Sequence, residues 1–256
     1  METALITGAS EGIGLEFARL FAKKNINLIL IARNEKRLKQ IANELSAHKD
    51  SIKIYAKDLS IMENAEFIYN DLKQQNILVD YLVNNAGFGI NNKYLENDWQ
   101  REQEMFYLNM ITVAYFTKMF AKDMLGRKFG RILNVGSTGS FQPGPYMAGY
   151  CATKAFVLSL SEAINYELKG TDVSVTTLCP GVTDTKFHSV ANTENTSMSR
   201  LLTHAKPINV ANFGFKIMMK KKSFGVHGIM NKALVFFNRF APRYALVAIS
   251  GRLLKR

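Results

Sequence analysis

Two cysteines in 256 residues, Cys151 and Cys179, with no C-x-x-C spacing, leave no material for a disulfide framework, and a reduced intracellular compartment fits. The four histidines, His48, His188, His204 and His227, sit at separations that suit no local ligand pair, so no metal is expected. No stretch approaches the roughly 20 continuous apolar residues of a membrane-spanning helix. No basic segment leads into a short apolar one as in a secretory signal, and the expected location is cytoplasmic. Linkers, repeats and low-complexity blocks are missing too, which points to one domain with one substantial core. Acid is scarce at one end only. The chain carries 33 Lys and Arg against 21 Asp and Glu, a net charge of +12, yet residues 186–256 hold 13 of the basic residues and Glu194 as their only acid. The first 185 residues are therefore balanced. A basic chain invites a nucleic-acid reading, but the excess lies outside every motif described next, and no nucleic-acid partner is expected.

What is present begins with alternation. Apolar runs at Thr3–Thr7, Asn27–Ala32, Ile52–Ala56, Tyr81–Asn84, Arg131–Val135 and Val173–Leu178 are separated by helical patterns. That is the signature of an α/β fold with a parallel sheet covered on both faces. Between the first run and a helix starting near Ile13 lies TGASEGIG, residues 7–14. Gly8, Gly12 and Gly14 let the backbone turn tightly and approach a pyrophosphate, while free N–H groups at the helix start carry partial positive charge. The spacing is Gly-x-x-x-Gly-x-Gly, and by itself it also suits an ordinary strand-to-helix loop.

Tyr150 and Lys154, four residues apart in GYCATKAF, stack a phenol and an ammonium on one helix face. A phenol with a pKa of about 10 needs roughly 4 kcal/mol of phenolate stabilisation to titrate near neutrality, and a nearby cation in a dry cleft can supply much of it. Tyr150 is thus a candidate general acid/base, although such a pair alone equally decorates a surface. Ser137 lies thirteen residues upstream, where the run RILNV breaks into a Gly/Ser loop; a loop cap is its other reading.

Taken together, TGASEGIG, NNAG at 84–87, Asn109, Ser137, YCATK at 150–154 and CPGVTDT at 179–185 closely resemble the short-chain dehydrogenase/reductase family, in order and spacing, over roughly residues 3–190. The resemblance implies a doubly wound, Rossmann-type α/β domain, a nicotinamide cofactor, and Asn109, Ser137, Tyr150 and Lys154 as the catalytic set. It also implies that Ser10 and Ile13 join the glycine turn at the cofactor, and that Asp58 and Leu59 border the adenine. By the same pattern Asn85, Ala86 and Gly87 line the cofactor floor, and Pro180, Gly181 and Thr185 sit beside the nicotinamide. Lys154 would bond the nicotinamide ribose, and Asn109 would hold a water that resupplies protons. A non-catalytic NADP(H)-binding sensor or membrane-surface protein on the same scaffold is the alternative.

Cofactor choice turns on the end of the second strand, where an acid selects a ribose 2′-hydroxyl and an arginine accommodates a 2′-phosphate. Arg33 follows Ala32 there, with Lys36 and Arg37 close behind and Glu11 and Glu35 as mild counterweights, so NADP(H) is expected. The segment 186–206 is expected to shape the substrate pocket, with Phe187, Met198, Leu201 and Leu202 on one wall and Phe141, Pro143, Pro145 and Met147 on the other. The expected substrate is a carbonyl or secondary alcohol on an apolar carrier. Residues 1–227 form the expected cofactor and catalytic domain, and residues 228–256 a basic C-terminal extension of two short amphipathic helices broken at Pro242. The extension either packs on the domain, covering the substrate cleft, or on a second copy in a homo-oligomer (dimer or tetramer), or lies against an anionic membrane with Lys220, Lys221 and Lys222 assisting.

Overall fold

The computed structural model describes residues 1–46, 51–194, 196–201 and 203–255. Strands β1 (Thr3–Thr7), β2 (Asn27–Ala32), β3 (Ile52–Ala56), β4 (Tyr81–Asn84), β5 (Gly130–Val135), β6 (Val173–Cys179) and β7 (Phe224–Val226) form one parallel sheet in the order 3-2-1-4-5-6-7. Helices α1 (Gly12–Ala22), α2 (Glu35–Ser46), α3 (Met62–Gln74), α4 (Trp99–Phe106), α5 (Thr112–Arg127) and α6 (Ala148–Glu167) connect the first six strands. After β6 come the short α7 (Phe187–Val190) and α8 (Ser197–Leu201), then α9 (Pro207–Met219), and after β7 come α10 (Ile229–Phe237) and α11 (Arg243–Leu254).

Side-chain alternation along the strands divides the core into two layers. Ala4 and Ile6 of β1 and Leu28 and Leu30 of β2 face Phe17 and Phe21 of α1, Leu38 and Ile41 of α2 and Val210 of α9. Leu5, Ile29 and Ile31 face the opposite way, onto Ile68 and Leu72 of α3 and Phe116 and Phe120 of α5. Each buried Phe or Leu contributes about 1.5–3 kcal/mol, so both layers hold the sheet rigid beneath the loops at its C-terminal edge. The strand order reverses at β1, whose neighbours are β2 and β4, and this switch point opens the crevice where open α/β sheets bind ligands. Thr7 stitches that edge together: its Oγ1 accepts from the Asn85 and Ala86 amides, both at 2.9 Å. A buried polar network continues inward, with Asn84 donating to Asn134 at 2.8 Å and Asn134 donating to Ser161 of α6 at 2.9 Å.

Candidate active site

At the mouth of the switch point three positions of the glycine turn have no room for a side chain. Gly8 (φ +65°) and Gly12 (φ +56°) occupy the left-handed region. A Cβ on Gly8 would stand 2.8 Å from Asn85 Nδ2, and one on Gly12 would stand 2.9 Å from Thr185 Cγ2. Gly14 packs its backbone against the Gly8 carbonyl, beneath the cavity rather than in its wall. Helix α1 starts here with no side chain capping its first amides, Glu11 being extended and making no cap bond. Uncapped donors on a Cβ-free cradle fit the pyrophosphate of a dinucleotide.

A cavity of about 350 Å³ runs from this turn to Tyr150. Ser10, Ile13, Arg33, Asp58, Leu59, Asn85, Ala86, Gly87, Pro180, Gly181 and Thr185 all line it, as do Ser137 and Lys154. Arg33 lies largely exposed at its far end, 3.7 Å from Asp58. Lys57 lines the same end and was missed by sequence reasoning, although its place just after β3 and beside Asp58 was signal enough.

At the near end, one helix and one strand terminus meet. Ser137 follows β5, and its Oγ accepts from the Gly139 amide at 3.0 Å, capping a 3₁₀ turn over Thr138–Phe141. The loop-cap reading is met, and it leaves room for the other: the oxygen is used by the cap, and the O–H proton is left to donate into the cavity. Tyr150 and Lys154 are one turn apart on α6, with Lys154 Nζ 5.8 Å from the Tyr150 ring centroid. That ammonium donates to the Val135 carbonyl at 2.7 Å, tying α6 to the end of β5. The expected lowering of the phenol does not emerge. Burial raises Tyr150 above the ordinary tyrosine value, opposed by a hydrogen bond from Ser137, while burial pushes Lys154 down to about 8.

Asn109 is fully buried behind the cavity rather than in its wall. It sits in a π-helical turn, Tyr107–Ile111, between α4 and α5. Its Oδ1 accepts from the Phe88 amide at 3.2 Å and its Nδ2 donates to the Phe88 carbonyl at 2.9 Å and to Thr153 Oγ1 at 3.1 Å. Thr153 donates in turn to the Tyr150 carbonyl at 2.7 Å. The amide is thus committed to positioning the helical turn that carries Tyr150.

The apolar end of the cavity departs from expectation in its walls. Met147 and Phe187 line it, with the Phe187 ring 5.2 Å from that of Tyr150. Phe141 instead packs outward on Phe224, and Pro145 lines a separate outer groove. The side chains of Met198 and Leu201, and all of Leu202, lie outside the described residues. Ser250, Leu253 and Leu254 of α11 complete the wall. Asn91 Nδ2 holds that helix by donating to the Leu254 carbonyl at 3.0 Å. His188 and His204, far apart in sequence terms, bring their rings to 5.4 Å beside this end, and among the described residues no three potential ligands gather for a metal.

A doubly wound sheet with a serine, a tyrosine and a lysine around a Cβ-free nucleotide cradle defines a class of α/β nucleotide-binding protein. The chain belongs to the short chain dehydrogenase family, whose sequence pattern matches residues 2–196. It is 34% identical over 176 residues to a very-long-chain 3-oxoacyl-CoA reductase of Pyricularia oryzae, covering 67% of this chain and 53% of that protein. The chain spans about half the length of the curated relatives it matches first. Among solved structures, a short-chain dehydrogenase from Sphingobium yanoikuyae in complex with NADPH superposes with a TM-score of 0.83 at 25% identity, covering 94% of each chain. A bulky-bulky ketone specific alcohol dehydrogenase from Comamonas testosteroni gives 0.79 at 27% identity, covering 94% of this chain and 92% of that one.

Proposed function

We propose that this protein is an NADP(H)-dependent oxidoreductase that interconverts a carbonyl and a secondary alcohol on an apolar substrate, an acyl chain or bulky ketone. The observation that carries the reading is the convergence of the Ser137 hydroxyl, the Tyr150 phenol and the Lys154 ammonium on one cavity that begins at the glycine cradle. When bound, the dinucleotide supplies or accepts the hydride. The cradle and the start of α1 would hold its pyrophosphate, and Arg33 with Lys57 would take a 2′-phosphate through charge-assisted bonds. Asn85 to Gly87 would form its floor, with Pro180, Gly181 and Thr185 beside the nicotinamide.

For reduction, the Ser137 O–H donates to the substrate carbonyl oxygen and holds it where negative charge develops. Tyr150 gives its phenolic proton to the same oxygen: the tyrosine O–H breaks as the alcohol O–H forms. A buried phenol that stays protonated at neutral pH suits this direction. The resulting phenolate is stabilised by Ser137 and by the nearby Lys154 charge until solvent returns the proton. Met147, Phe187, Leu253 and Leu254 favour an apolar group beyond the carbonyl, and the reductases and ketone dehydrogenases it resembles act on such compounds by name. A panel of 3-oxoacyl thioesters, bulky ketones and small polar ketones assayed with NADPH tests the assignment. Turnover of the first two classes is expected, and turnover confined to small polar ketones would overturn the apolar-substrate reading.

A further inference from the structure

An amphipathic helix in a water-soluble domain ordinarily turns its apolar side inward. Helix α10 does the reverse. Val235 is buried against Val226 and Leu158, and Asn231 meets Gly181, but the wider apolar side faces outward. Ile229 is 87% exposed, Phe237 65% and Phe240 72%. Phe236 touches both other rings, at centroid distances of 5.8 and 5.3 Å, so the three form one exposed aromatic ridge. Tyr244, four residues on at the start of α11, is 79% exposed as well. Apolar patches of this kind mark interaction sites.

Charge selects the occupant. Arg239 and Arg243 flank the ridge, Arg252 and Lys255 follow on α11, and among the described residues none of these four has an acidic partner within ion-pair distance. A second copy meeting this face on itself would bring like charges together. A surface of phosphate headgroups over acyl chains would meet both the cations and the rings, the pattern of a helix lying in a membrane interface. The topology also sorts the cations. Lys220, Lys221 and Lys222 precede β7, and Lys221 pairs with Asp172 ahead of β6 at 2.8 Å, so this run lies at the N-terminal edge of the sheet. The ridge follows the C-terminal end of β7, on the opposite edge, and the lysine run named with the extension in the sequence reading does not belong to this face.

We propose that the outward face of α10 and the start of α11 docks on an anionic lipid bilayer. Because the inner side of α11 supplies Leu253 and Leu254 to the cavity wall, docking sets the apolar end of the cavity beside the lipid phase; that consequence, unlike docking, rests on the apolar-substrate reading. The test is flotation of the full chain with vesicles of phosphatidylcholine containing phosphatidylglycerol, and with pure phosphatidylcholine vesicles. The expected result is binding to the anionic vesicles that weakens with salt. Phe236→Ala/Phe237→Ala/Phe240→Ala and Arg239→Glu/Arg243→Glu should each lower the partition coefficient at least tenfold with an unchanged melting temperature. Lys220→Glu/Lys222→Glu, at the far edge, should lower it less than threefold. No binding by the wild type overturns the proposal, as does an equal loss with the far-edge variant. A concentration-dependent dimer by light scattering, abolished by the phenylalanine substitutions without vesicle binding, would overturn it in favour of a second copy. Turnover is not read, so the proposed chemistry and the docking surface fail separately.

Discussion

A hydroxyl whose oxygen already accepts from the Gly139 amide has a proton with one useful direction left, and at Ser137 that direction is toward Tyr150. Ser137→Ala is therefore expected to act twice: a cap loss of about 1 kcal/mol, seen as a small fall in melting temperature, and a larger loss in kcat. Tyr150→Phe keeps the ring against Phe187 but removes the proton; turnover should fall by roughly 10²–10⁴, the usual contribution of general acid catalysis. NADPH affinity, read by fluorescence titration, should stay within about threefold, since the phenol is asked for acid chemistry rather than for binding. Lys154 is expected to set the pH dependence. Its folded value of about 8 lies below the ordinary 10.5, so the ammonium is present below pH 8 and lost above it. The kcat/KM for the dinucleotide, which reports the free protein, should decline as pH rises through about 8; a profile flat to pH 10 would contradict this. That Ser137, Tyr150 and Lys154 meet at one cavity was legible in the sequence through the family resemblance of their order and spacing, since the Tyr–Lys spacing alone suits a surface as well. The direction of the Tyr150 shift was not, because it depends on how dry the helix end becomes, and spacing carries no information about burial.

At the scale of elements, the proposed cofactor site would divide recognition between shape at the glycine turn and charge at the end of β2. Gly8→Ala puts a Cβ 2.8 Å from Asn85 Nδ2 and 3.0 Å from the Ala86 backbone, at a positive φ. Left-handed strain alone costs about 1–2 kcal/mol, so calorimetry should show a melting temperature lower by several degrees, together with weakened dinucleotide binding. Arg33→Ala leaves that shape intact. Losing one charge-assisted bond of about 1.5–3 kcal/mol should reduce kcat/KM for NADPH by about tenfold to a hundredfold and leave NADH nearly unchanged, which steady-state assays with both cofactors decide. An unchanged NADPH/NADH ratio would remove Arg33 from the 2′-phosphate site. Six strands could be read as apolar runs because a doubly covered sheet permits little else. Strand β7 could not, since Phe224–Val226 follows three lysines and is only three residues long. Helix α11 as a wall of the cavity was legible only as one alternative, a tail covering the substrate cleft: the stripe Leu246, Ile249 and Leu253 suits several surfaces, and the long-range bond from Asn91 to the Leu254 carbonyl decides which one it meets.

For the whole molecule, the C-terminal helices within residues 228–255 pack against the domain as well as follow it. Removing them strips Val235 from the layer containing Val226 and Leu158, and Leu254 from the one containing Met147 and Cys151. The truncated chain should melt several degrees lower, at about 2–4 °C per kcal/mol for a domain of this size, and should lose turnover on bulky carbonyls. A truncation with unchanged melting and turnover would show that the cavity wall is dispensable. The strand order carries one more consequence, for synthesis. Strand β1 is completed at Thr7, and β2 can cover one side of it once Ala32 exists, but its other neighbour, β4, ends only at Asn84. While the ribosome makes the intervening stretch, the emerging chain holds a strand destined for full burial with one open edge, the arrangement most prone to pairing with a stranger. When the fourth strand leaves the exit tunnel the open edge is handed on from β1 to β4, which waits in turn for β5 to end at Val135.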